Sequence, residues 1–456
     1  MGMATIEELA GRVHGSVVVP GSDGYEEARR VYNGMVDRRP AAVVRCVNAG
    51  DVLATVAYAR EHGLDLAVRG GAHSVPGYGT CEGGLVADLG GMRGVRVDPA
   101  TRTARVEGGA TLADLDAATH AFGLGVTGGV VSTTGVGGLT LGGGFGHLAR
   151  GLGLTCDNLL SADVVTADGR LLVASEHEYP DLFWALRGGT GNFGAVTSFE
   201  FRLSPVDTVH VGLFFHEAEQ TEAVLKHFRE YIATAPEQLG AFAGFQIAPP
   251  LPFIPEERHG DTFVIVVACW NGPEAEAEQA FQPFRDAAPV SFELSTPMPY
   301  PALQSLFDGL LPPGLQHYWK AAFSPGLTDA AVTAHAAHGP KVPVINSTCH
   351  IYPINGACHR VAPEATAFSY RDAGFATVIA GMWPDPADNE ANTAWVRDYY
   401  AAIAPHSSPG GYVNFMAEDD QGRVSDNYRD NYARLVQVKR AYDPGNLFHV
   451  NHNIRP

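Results

Sequence analysis

The sequence contains no cluster of lysine and arginine and no apolar stretch that approaches the length of a membrane-spanning helix. A surface that binds nucleic acid phosphates needs clustered positive charge, whereas these 456 residues carry a formal net charge of −19. A helix that crosses a bilayer needs roughly 18 or more consecutive apolar residues. The composition therefore disfavours nucleic acids and membranes as partners and is typical of a soluble protein.

Targeting, cross-linking and metal-binding patterns are also missing. The segment 1–15 lacks the basic start and long apolar run of a signal peptide. The six cysteines form no CxxC pair, which argues against a disulfide framework. Cys349-His350 and Cys358-His359 do not have the spacing of zinc ligands. We therefore expect a cytoplasmic protein with reduced thiols and no metal site.

Glycine, by contrast, is abundant, and many of the 53 glycines lie between Gly70 and Gly194. The segment 69–79 places His73 among small residues, which leaves backbone N–H groups free to converge on phosphate oxygens. The segment 127–146 is richer still in glycine, but valine, leucine and phenylalanine are interleaved, unlike in a flexible linker. Glycine loses more conformational entropy on folding than any other residue. Because so many glycines are costly in a folded protein, these stretches indicate a backbone that lies against a large ligand.

The segment before His73 has the pattern of a βαβ unit. A strand at 41–46 leads to a helix capped by Asp51 and stopped at Gly63, and a second strand follows at 64–68. Two strands joined in this way run parallel, and loops at their carboxyl ends commonly hold ligands. Downstream, we predict a hairpin at 95–106, a helix capped by Thr111 and a strand-turn-strand at 164–173.

The segment Gly189–Gly194 matches the GxGxxG pattern of dinucleotide-binding proteins. A Rossmann site requires a strand before this motif and a helix after it. Here the preceding residues look helical and residues 196–201 alternate like a strand. We therefore predict that it is not a Rossmann phosphate loop.

Four further segments accompany the His73 loop and the glycine stretch, namely 151–158, 182–189, 442–448 and 451–454. Taken together, these motifs resemble the berberine-bridge-enzyme-like branch of the vanillyl-alcohol-oxidase, or PCMH-type FAD-binding, flavoprotein family, and most of all its 6-hydroxynicotine-oxidase type. The resemblance covers nearly the whole chain and is strongest over 38–205 and 411–456.

The resemblance implies an α+β fold with two domains. A two-lobed FAD-binding domain would comprise residues 1–205, with lobes at about 38–95 and 96–205. A substrate domain with an antiparallel sheet covered by helices would comprise 206–410. The segment 411–456 would return to the FAD domain. A homodimer of this chain is a further hypothesis.

The resemblance also implies the cofactor site. His73 would carry FAD covalently, the backbone from Arg69 to Ser74 would cradle the pyrophosphate, and glycines of the 127–146 stretch would line the flavin ring. The candidate cofactor-binding residues are His73, Arg69, Gly70, Gly71, Ala72, Ser74, Gly77, Gly129, Thr133, Gly135, Gly137, Gly138, Gly142, Gly143, Gly144, Asp157, Asn158, Val165, Asn451 and Asn453.

The sequence departs from the family pattern at two positions. Val131 stands where doubly tethered members have a cysteine, so we expect no second covalent link. Phe415 stands where several members have a catalytic tyrosine, in Tyr412-Val413-Asn414-Phe415. The base would then lie elsewhere, and alternation places His350 and Tyr352 on one face of a strand. His350, Tyr352 and Asn414 are therefore the catalytic candidates.

The expected reaction is a two-electron oxidation of an alcohol or amine carbon in a small organic substrate. The hydride would pass to flavin N5 and then reduce O2 to H2O2. A dehydrogenase, an oxidative cyclase or other tailoring enzyme, and a non-catalytic flavin-binding protein remain open. Aromatic residues of the weakly matching region, including Phe242, Phe245 and Trp319, are candidates for either pocket or core.

Overall fold

The computed structural model describes residues 3–456, with burial described from residue 7 onward. Residues 1 and 2, which the expected first domain includes, lie outside the described residues. The helices are α1 Met3–Ala10, α2 Tyr25–Ala28, α3 Ala49–His62, α4 Leu112–His120, α5 Val136–Leu141, α6 Ala149–Leu152, α7 Pro180–Leu186, α8 Thr221–Ile232, α9 Ala277–Asp286, α10 Tyr300–Gln304, α11 Asp329–His338, α12 Asn389–Ile403, α13 Val424–Tyr428 and α14 Tyr432–Tyr442. No helix among the described residues is long and apolar enough to cross a membrane. The cytoplasmic location stays a prediction.

A four-stranded sheet with the order β1-β2-β4-β3 is formed first along the chain. Its strands are β1 Ser16–Val18, β2 Ala42–Arg45, β3 Leu66–Arg69 and β4 Leu85–Asp88. The predicted βαβ unit is confirmed, because α3 joins β2 to β3 and both pair parallel with β4, which lies between them. The loop that carries His73 therefore begins at the carboxyl end of β3.

The predicted cap of α3 was wrong. Asn48 is the N-cap, since its side chain accepts a hydrogen bond from the backbone N–H of Asp51. The Asp51 carboxylate instead accepts hydrogen bonds from the backbone N–H groups of His14, Gly15 and Val47. The predicted stop at Gly63 is confirmed by its left-handed φ of 62°, which glycine adopts without strain.

A second sheet of five strands has the order β5-β6-β10-β8-β9, with every neighbouring pair antiparallel. Its strands are β5 Val95–Asp98, β6 Thr103–Glu107, β8 Leu159–Val165, β9 Leu171–Ser175 and β10 Ala195–Arg202; a separate pair is formed by β7 Leu124–Gly125 and β11 Ser204–Pro205. The predicted hairpin and strand-turn-strand are confirmed, as is the cap of α4 by Thr111. The Gly189–Gly194 segment follows α7 and precedes β10, the reverse of the Rossmann order, as predicted.

The third sheet has seven antiparallel strands in the order β15-β12-β14-β13-β17-β18-β16. Its strands are β12 Thr208–Glu217, β13 Leu239–Ile247, β14 Thr262–Trp270, β15 Phe292–Pro299, β16 Gln316–Ser324, β17 Thr348–Pro353 and β18 Phe375–Trp383. One face packs against α8, α9, α11 and α12 in a buried apolar cluster that includes Cys349 and Ile351. The expected antiparallel sheet covered by helices is therefore confirmed. Its other face packs in a second buried apolar cluster together with Phe145 and Tyr412.

The C-terminal segment is fixed to the loop that precedes β10. Helix α14 packs against α7, and the buried Lys439 ammonium donates to the carbonyls of Asn192 and Phe448 and pairs with Asp443 at 2.6 Å. The Asn192 side chain donates to the His452 carbonyl and accepts from the Ile454 N–H. These bonds bring residues 448–452 beside the glycine-rich loops.

Candidate cofactor and substrate site

A cavity of about 330 Å³ lies where the glycine-rich loops, the C-terminal tail and the face of the seven-stranded sheet opposite the helices meet. Predicted residues that line it are Arg69, Gly70, Gly71, Ala72, His73, Ser74, Gly129, Gly135, Gly137, Gly138, Asn451, His350, Tyr352 and Asn414. Segments far apart in the sequence thus converge on one cavity. We call the part lined by residues within 69–74 and 129–138 and by the C-terminal tail the loop half, and the part lined by His350, Tyr352 and other residues of the seven-stranded sheet the sheet half. The two halves are chemically different.

His73 lies in the wall of the loop half. Its Nε2 shares a hydrogen bond of 2.9 Å with the Thr133 hydroxyl, and its ring stacks on Tyr32 with centroids 3.8 Å apart. Its Nδ1 has no hydrogen-bond partner among the described residues. Burial lowers the pKa of His73 to about 4, so the imidazole is neutral at pH 7. In the tautomer that donates from Nε2 to Thr133, the Nδ1 lone pair is free.

His350 and Tyr352 form a pair in the sheet half. The two residues project from the same face of β17, as alternation predicts, and His350 Nδ1 lies 2.9 Å from the Tyr352 hydroxyl. Gly244 on the neighbouring strand leaves room for the imidazole, since a Cβ there would collide with it. Burial lowers the pKa of His350 to about 3 and raises that of Tyr352. At pH 7 the pair therefore joins a neutral imidazole to a neutral phenol.

Asn414, the third catalytic candidate, also holds the glycine stretch. Its amide nitrogen donates to the Leu139 carbonyl and to the Tyr412 hydroxyl, and that hydroxyl accepts a second hydrogen bond from the Gly144 N–H. Gly142 lies so close to the Asn414 amide that a Cβ would overlap it. Asn414 thus lines the cavity while most of its bonding capacity is directed to the loop.

Other predicted cofactor residues do not line the cavity. Thr133 lies behind the lining and holds His73 through their hydrogen bond. Gly142, Gly143 and Gly144 pack closely against Asn414, Phe368 and Thr155, respectively. The structure places the remaining residues of this group, Gly77, Asp157, Asn158, Val165 and Asn453, outside the lining. Their observed contacts are with the supporting structure, and their contact with the cofactor stays a prediction.

Asp157 and Val165 illustrate these contacts. The Asp157 carboxylate accepts the Leu154 N–H and forms a two-point ion pair with the buried Arg371. Val165 is fully buried in the core beneath the four-stranded sheet. Asn158 donates to the carbonyls of Leu152 and Leu154, which fixes the turn before β8.

Comparison with known proteins identifies the family. The model of an FAD binding domain matches residues 40–175, and a model described as berberine and berberine like matches residues 411–455. An FAD-linked oxidoreductase of Dictyostelium discoideum is 32% identical over 461 residues, which cover 99% of this chain and 97% of the relative. The chain belongs to the berberine-bridge-enzyme-like FAD-linked oxidoreductases.

Solved structures agree with this assignment. The structure of 6-hydroxy-D-nicotine oxidase from Arthrobacter nicotinovorans matches with a TM-score of 0.85 and 27% identity, over 97% of this chain and 98% of that one. Glucooligosaccharide oxidase from Acremonium strictum matches with a TM-score of 0.86 and 23% identity, over 99% of each chain. The second likeness shows the fold alone. This FAD-linked oxidoreductase therefore has the expected fold over its whole described length.

The loop half of the cavity fits FAD. Gly138 and Gly191 line it with open space at the position of a Cβ, so a side chain at either residue would fill the volume that a ligand needs. Gly71 and Gly135 are in backbone contact, and a Cβ on either would collide with the other loop. This bare-backbone cradle, with the His73 ring at its edge, suits a large planar cofactor with phosphates.

Sequence reasoning missed several lining residues of this oxidoreductase. Tyr32 lies in the segment before the βαβ unit, where no motif marks it. Thr190, Gly191 and Gly194 were set aside with the Rossmann pattern, yet all three line the cavity. Their glycine content was a usable signal. Gln246, Asn346 and Thr348 line the sheet half and belong to the region with the weakest resemblance.

Proposed function

We propose that this enzyme carries FAD covalently on His73 and oxidises an alcohol or amine carbon of a small organic molecule, with O2 as the electron acceptor. The observation that carries the proposal is the His73 ring, which is neutral, held at the cavity wall and uncommitted at Nδ1. Glucooligosaccharide oxidase is described as holding 8α-N1-histidyl FAD. N1 of a histidyl ring is the Nδ1 atom, which supports the same attachment here.

A single tether is the second part of the proposal. The family position for a second, cysteinyl link holds Val131, whose apolar side chain lines the cavity. All six cysteines are buried and free, and none is among the cavity-lining residues. Cys156 is buried beside the Asp157–Arg371 pair, where burial raises the pKa of its thiol, which favours a structural role.

We assign the cofactor to residues 1–205 with 411–456 and the substrate to 206–410. In this assignment the backbone of Arg69–Ser74 binds the pyrophosphate, and Gly137 and Gly138 border the flavin ring. The Arg69 guanidinium is already committed, since it pairs with Asp88 and donates to the carbonyls of Ala28 and Arg30. It therefore supports the loop and leaves phosphate binding to backbone N–H groups.

When bound, FAD supplies a two-electron acceptor that O2 can reoxidise to give H2O2. The chain supplies the proton chemistry. For an alcohol, loss of hydride from the carbinol carbon leaves a protonated carbonyl, which is a much stronger acid than an imidazolium. Tyr352 can accept that proton while it passes its own to His350 Nδ1, so the weakly basic pair is sufficient. For a neutral amine, hydride loss needs no base.

Denaturing gel electrophoresis with detection of flavin fluorescence tests the proposal. We expect the wild-type band to fluoresce and the His73→Ala band not to. His452→Ala, which removes another cavity-lining imidazole, should keep the fluorescence and serves as the matched control. Loss of all flavin from the wild-type protein on acid precipitation would contradict the covalent link.

Peroxide formation on a panel of small alcohols and amines tests the oxidase assignment. We expect O2-dependent peroxide with at least one member. Reduction of the flavin by a substrate without peroxide would favour a dehydrogenase instead. Size-exclusion chromatography of the holoenzyme tests the expected homodimer.

A further inference from the structure

Three polar side chains of the sheet half donate hydrogen bonds to backbone carbonyls of the protein itself. Gln246 Nε2 donates to the carbonyls of Ile345 and Ile247 at 2.6 and 3.3 Å. Asn346 Nδ2 donates to the Leu310 carbonyl at 2.6 Å, and the Thr348 hydroxyl donates to the Phe245 carbonyl at 2.8 Å. Because a carbonyl only accepts, these partners fix the orientation of both amides and of the hydroxyl.

The atoms left for a ligand are therefore mainly acceptors, and one N–H of Asn346, whose amide nitrogen makes a single hydrogen bond, is the exception. Gln246 Oε1, Asn346 Oδ1 and the lone pairs of Thr348 Oγ1 receive no hydrogen bond from the described residues, and all three residues line the cavity. Gln246 is 9% exposed and Thr348 6% exposed, so these oxygens are accessible mainly from the cavity. We refer to Gln246, Asn346 and Thr348 as the acceptor row.

The cavity wall around the acceptor row contains no side chain with a formal charge among the described residues. Among the described residues that line the cavity, none is aspartate, glutamate or lysine, and Arg69 lies in the loop half with its guanidinium already paired. The wall nearby is formed by Phe307, Leu310, Leu311, Trp319 and Met382. It is apolar apart from the Trp319 indole N–H, which has no hydrogen-bond partner among the described residues. In such surroundings an anion would lose hydration and face acceptor oxygens, and a cation would lose hydration without gaining a carboxylate partner.

We propose that the substrate is an uncharged molecule that binds the acceptor row through two or more hydroxyl or N–H donors and packs an apolar body against the surrounding wall. A ligand whose donors are capped, or whose hydroxyls are replaced by carboxylates, leaves buried acceptors unpaired or opposes them with like charge. The inference deepens the proposed function and depends on the sheet half being the substrate half.

Matched ligand sets test the proposal on the wild-type holoenzyme. Each set contains an aromatic, alicyclic or open-chain polyol, its O-methyl ether and the corresponding carboxylate, for example 1-(3,5-dihydroxyphenyl)ethanol, its 3,5-dimethoxy analogue and 5-(1-hydroxyethyl)isophthalate. Binding is measured as the ligand-induced change in the flavin absorption spectrum under anaerobic conditions. We expect at least one polyol to bind about tenfold or more tighter than its ether and its carboxylate, as two lost hydrogen bonds imply.

Two variants connect this discrimination to the acceptor row. In Gln246→Met, which removes one acceptor at similar length, the ratio of ether to polyol Kd should fall severalfold. In Gln282→Met, the same change at an exposed glutamine of α9 outside the cavity lining, the ratio should not change. Gel fluorescence should be equal in both, which separates this result from the His73 question.

Three outcomes would overturn the proposal. They are equal or tighter binding of the ethers, tighter binding of the carboxylates, and failure of every polyol to bind. None of these outcomes bears on whether His73 holds the flavin. Conversely, a gel that shows no covalent flavin would leave the measured ratios of ligand Kd values unchanged. If Gln246→Met does not fold, the wild-type ratios decide alone.

Discussion

The phenol ring of Tyr32 stacks on the imidazole of His73, with 3.8 Å between centroids and 18° between planes. Tyr32 is itself fixed, since its hydroxyl donates to the Leu311 carbonyl at 2.6 Å and its N–H donates to the Ala72 carbonyl. Thr133 holds the opposite side of the imidazole through Nε2. The ring that we propose as the flavin tether is thus oriented before any cofactor binds.

We expect this stack to affect the rate of covalent attachment. Apoprotein of the Tyr32→Leu variant should incorporate FAD roughly three- to tenfold more slowly, because a stacked ring pair contributes about 0.5–1.5 kcal/mol. Tyr32→Phe keeps the ring and should react at close to the wild-type rate. Flavin fluorescence in denaturing gels, sampled over time after FAD is added, measures both. Equal rates for leucine and phenylalanine would show that the stack has no part in attachment.

The His350–Tyr352 pair should matter for alcohols and much less for amines. With an alcohol identified by the peroxide panel, we expect Tyr352→Phe to slow flavin reduction by about 10²-fold or more, within the range of general base catalysis. Neutral amine substrates should lose less, because their hydride transfer needs no base. Anaerobic stopped-flow absorbance measures the reduction. Phe415→Leu, which changes an aromatic neighbour without touching the proton path, is the control, and equal loss in both variants would argue against a base.

Open space at the glycine cradle should be necessary for the cofactor. Gly138 lies within α5 and has no atom within 4 Å of an added Cβ. Gly138→Val should therefore fold but hold little flavin, because its methyl groups enter the cavity. Gly422→Val, at an exposed glycine that also has free space, should keep its flavin. The ratio of flavin absorbance to protein absorbance measures both, and a full flavin complement in Gly138→Val would place the ring elsewhere.

Asp116 predicts an unusual pH dependence of stability. The side chain is 2% exposed, and its carboxylate accepts one hydrogen bond from Gln304 at 3.2 Å. Burial raises the pKa of Asp116 from 3.8 to about 7. The folded state therefore keeps a proton that the unfolded chain has lost, and wild-type stability falls as pH rises from about 4 to 7.

Asp116→Asn removes this titration. The melting temperature of the variant minus that of the wild type should increase between pH 5 and pH 8, since a pKa difference amounts to about 1.4 kcal/mol per pH unit. Differential scanning fluorimetry of both holoenzymes measures this difference. Asp114→Asn, at a half-buried residue of the same helix that pairs with Arg93, should show no such increase. A difference for Asp116→Asn that is constant with pH would mean that this carboxyl has an ordinary pKa.

The sequence determined the local structure and the family. Gly63, Thr111 and the alternation of β17 specify their conformations through contacts within a few residues, so the βαβ unit, the helix cap and the shared face of His350 and Tyr352 could be predicted. The glycines of the segments 69–79 and 127–146 indicated a ligand site because the absence of side chains is also a local property of the sequence. Val131 and Phe415, read against the family motifs, marked where this member differs.

Only the tertiary structure decided which residues meet. Tyr32 reaches His73 across 41 positions, and Asn346 and Gln246 acquire their roles only because distant carbonyls fix the orientation of their amides. Asp157 bonds Arg371, and Val165 lies in the apolar core, so neither lines the cavity. Phe245 and Trp319 are equally aromatic in the sequence, yet one lies in the helix-covered core and the other in the cavity wall. Side-chain identity is local, whereas the face of a sheet that becomes a cavity depends on what packs against it.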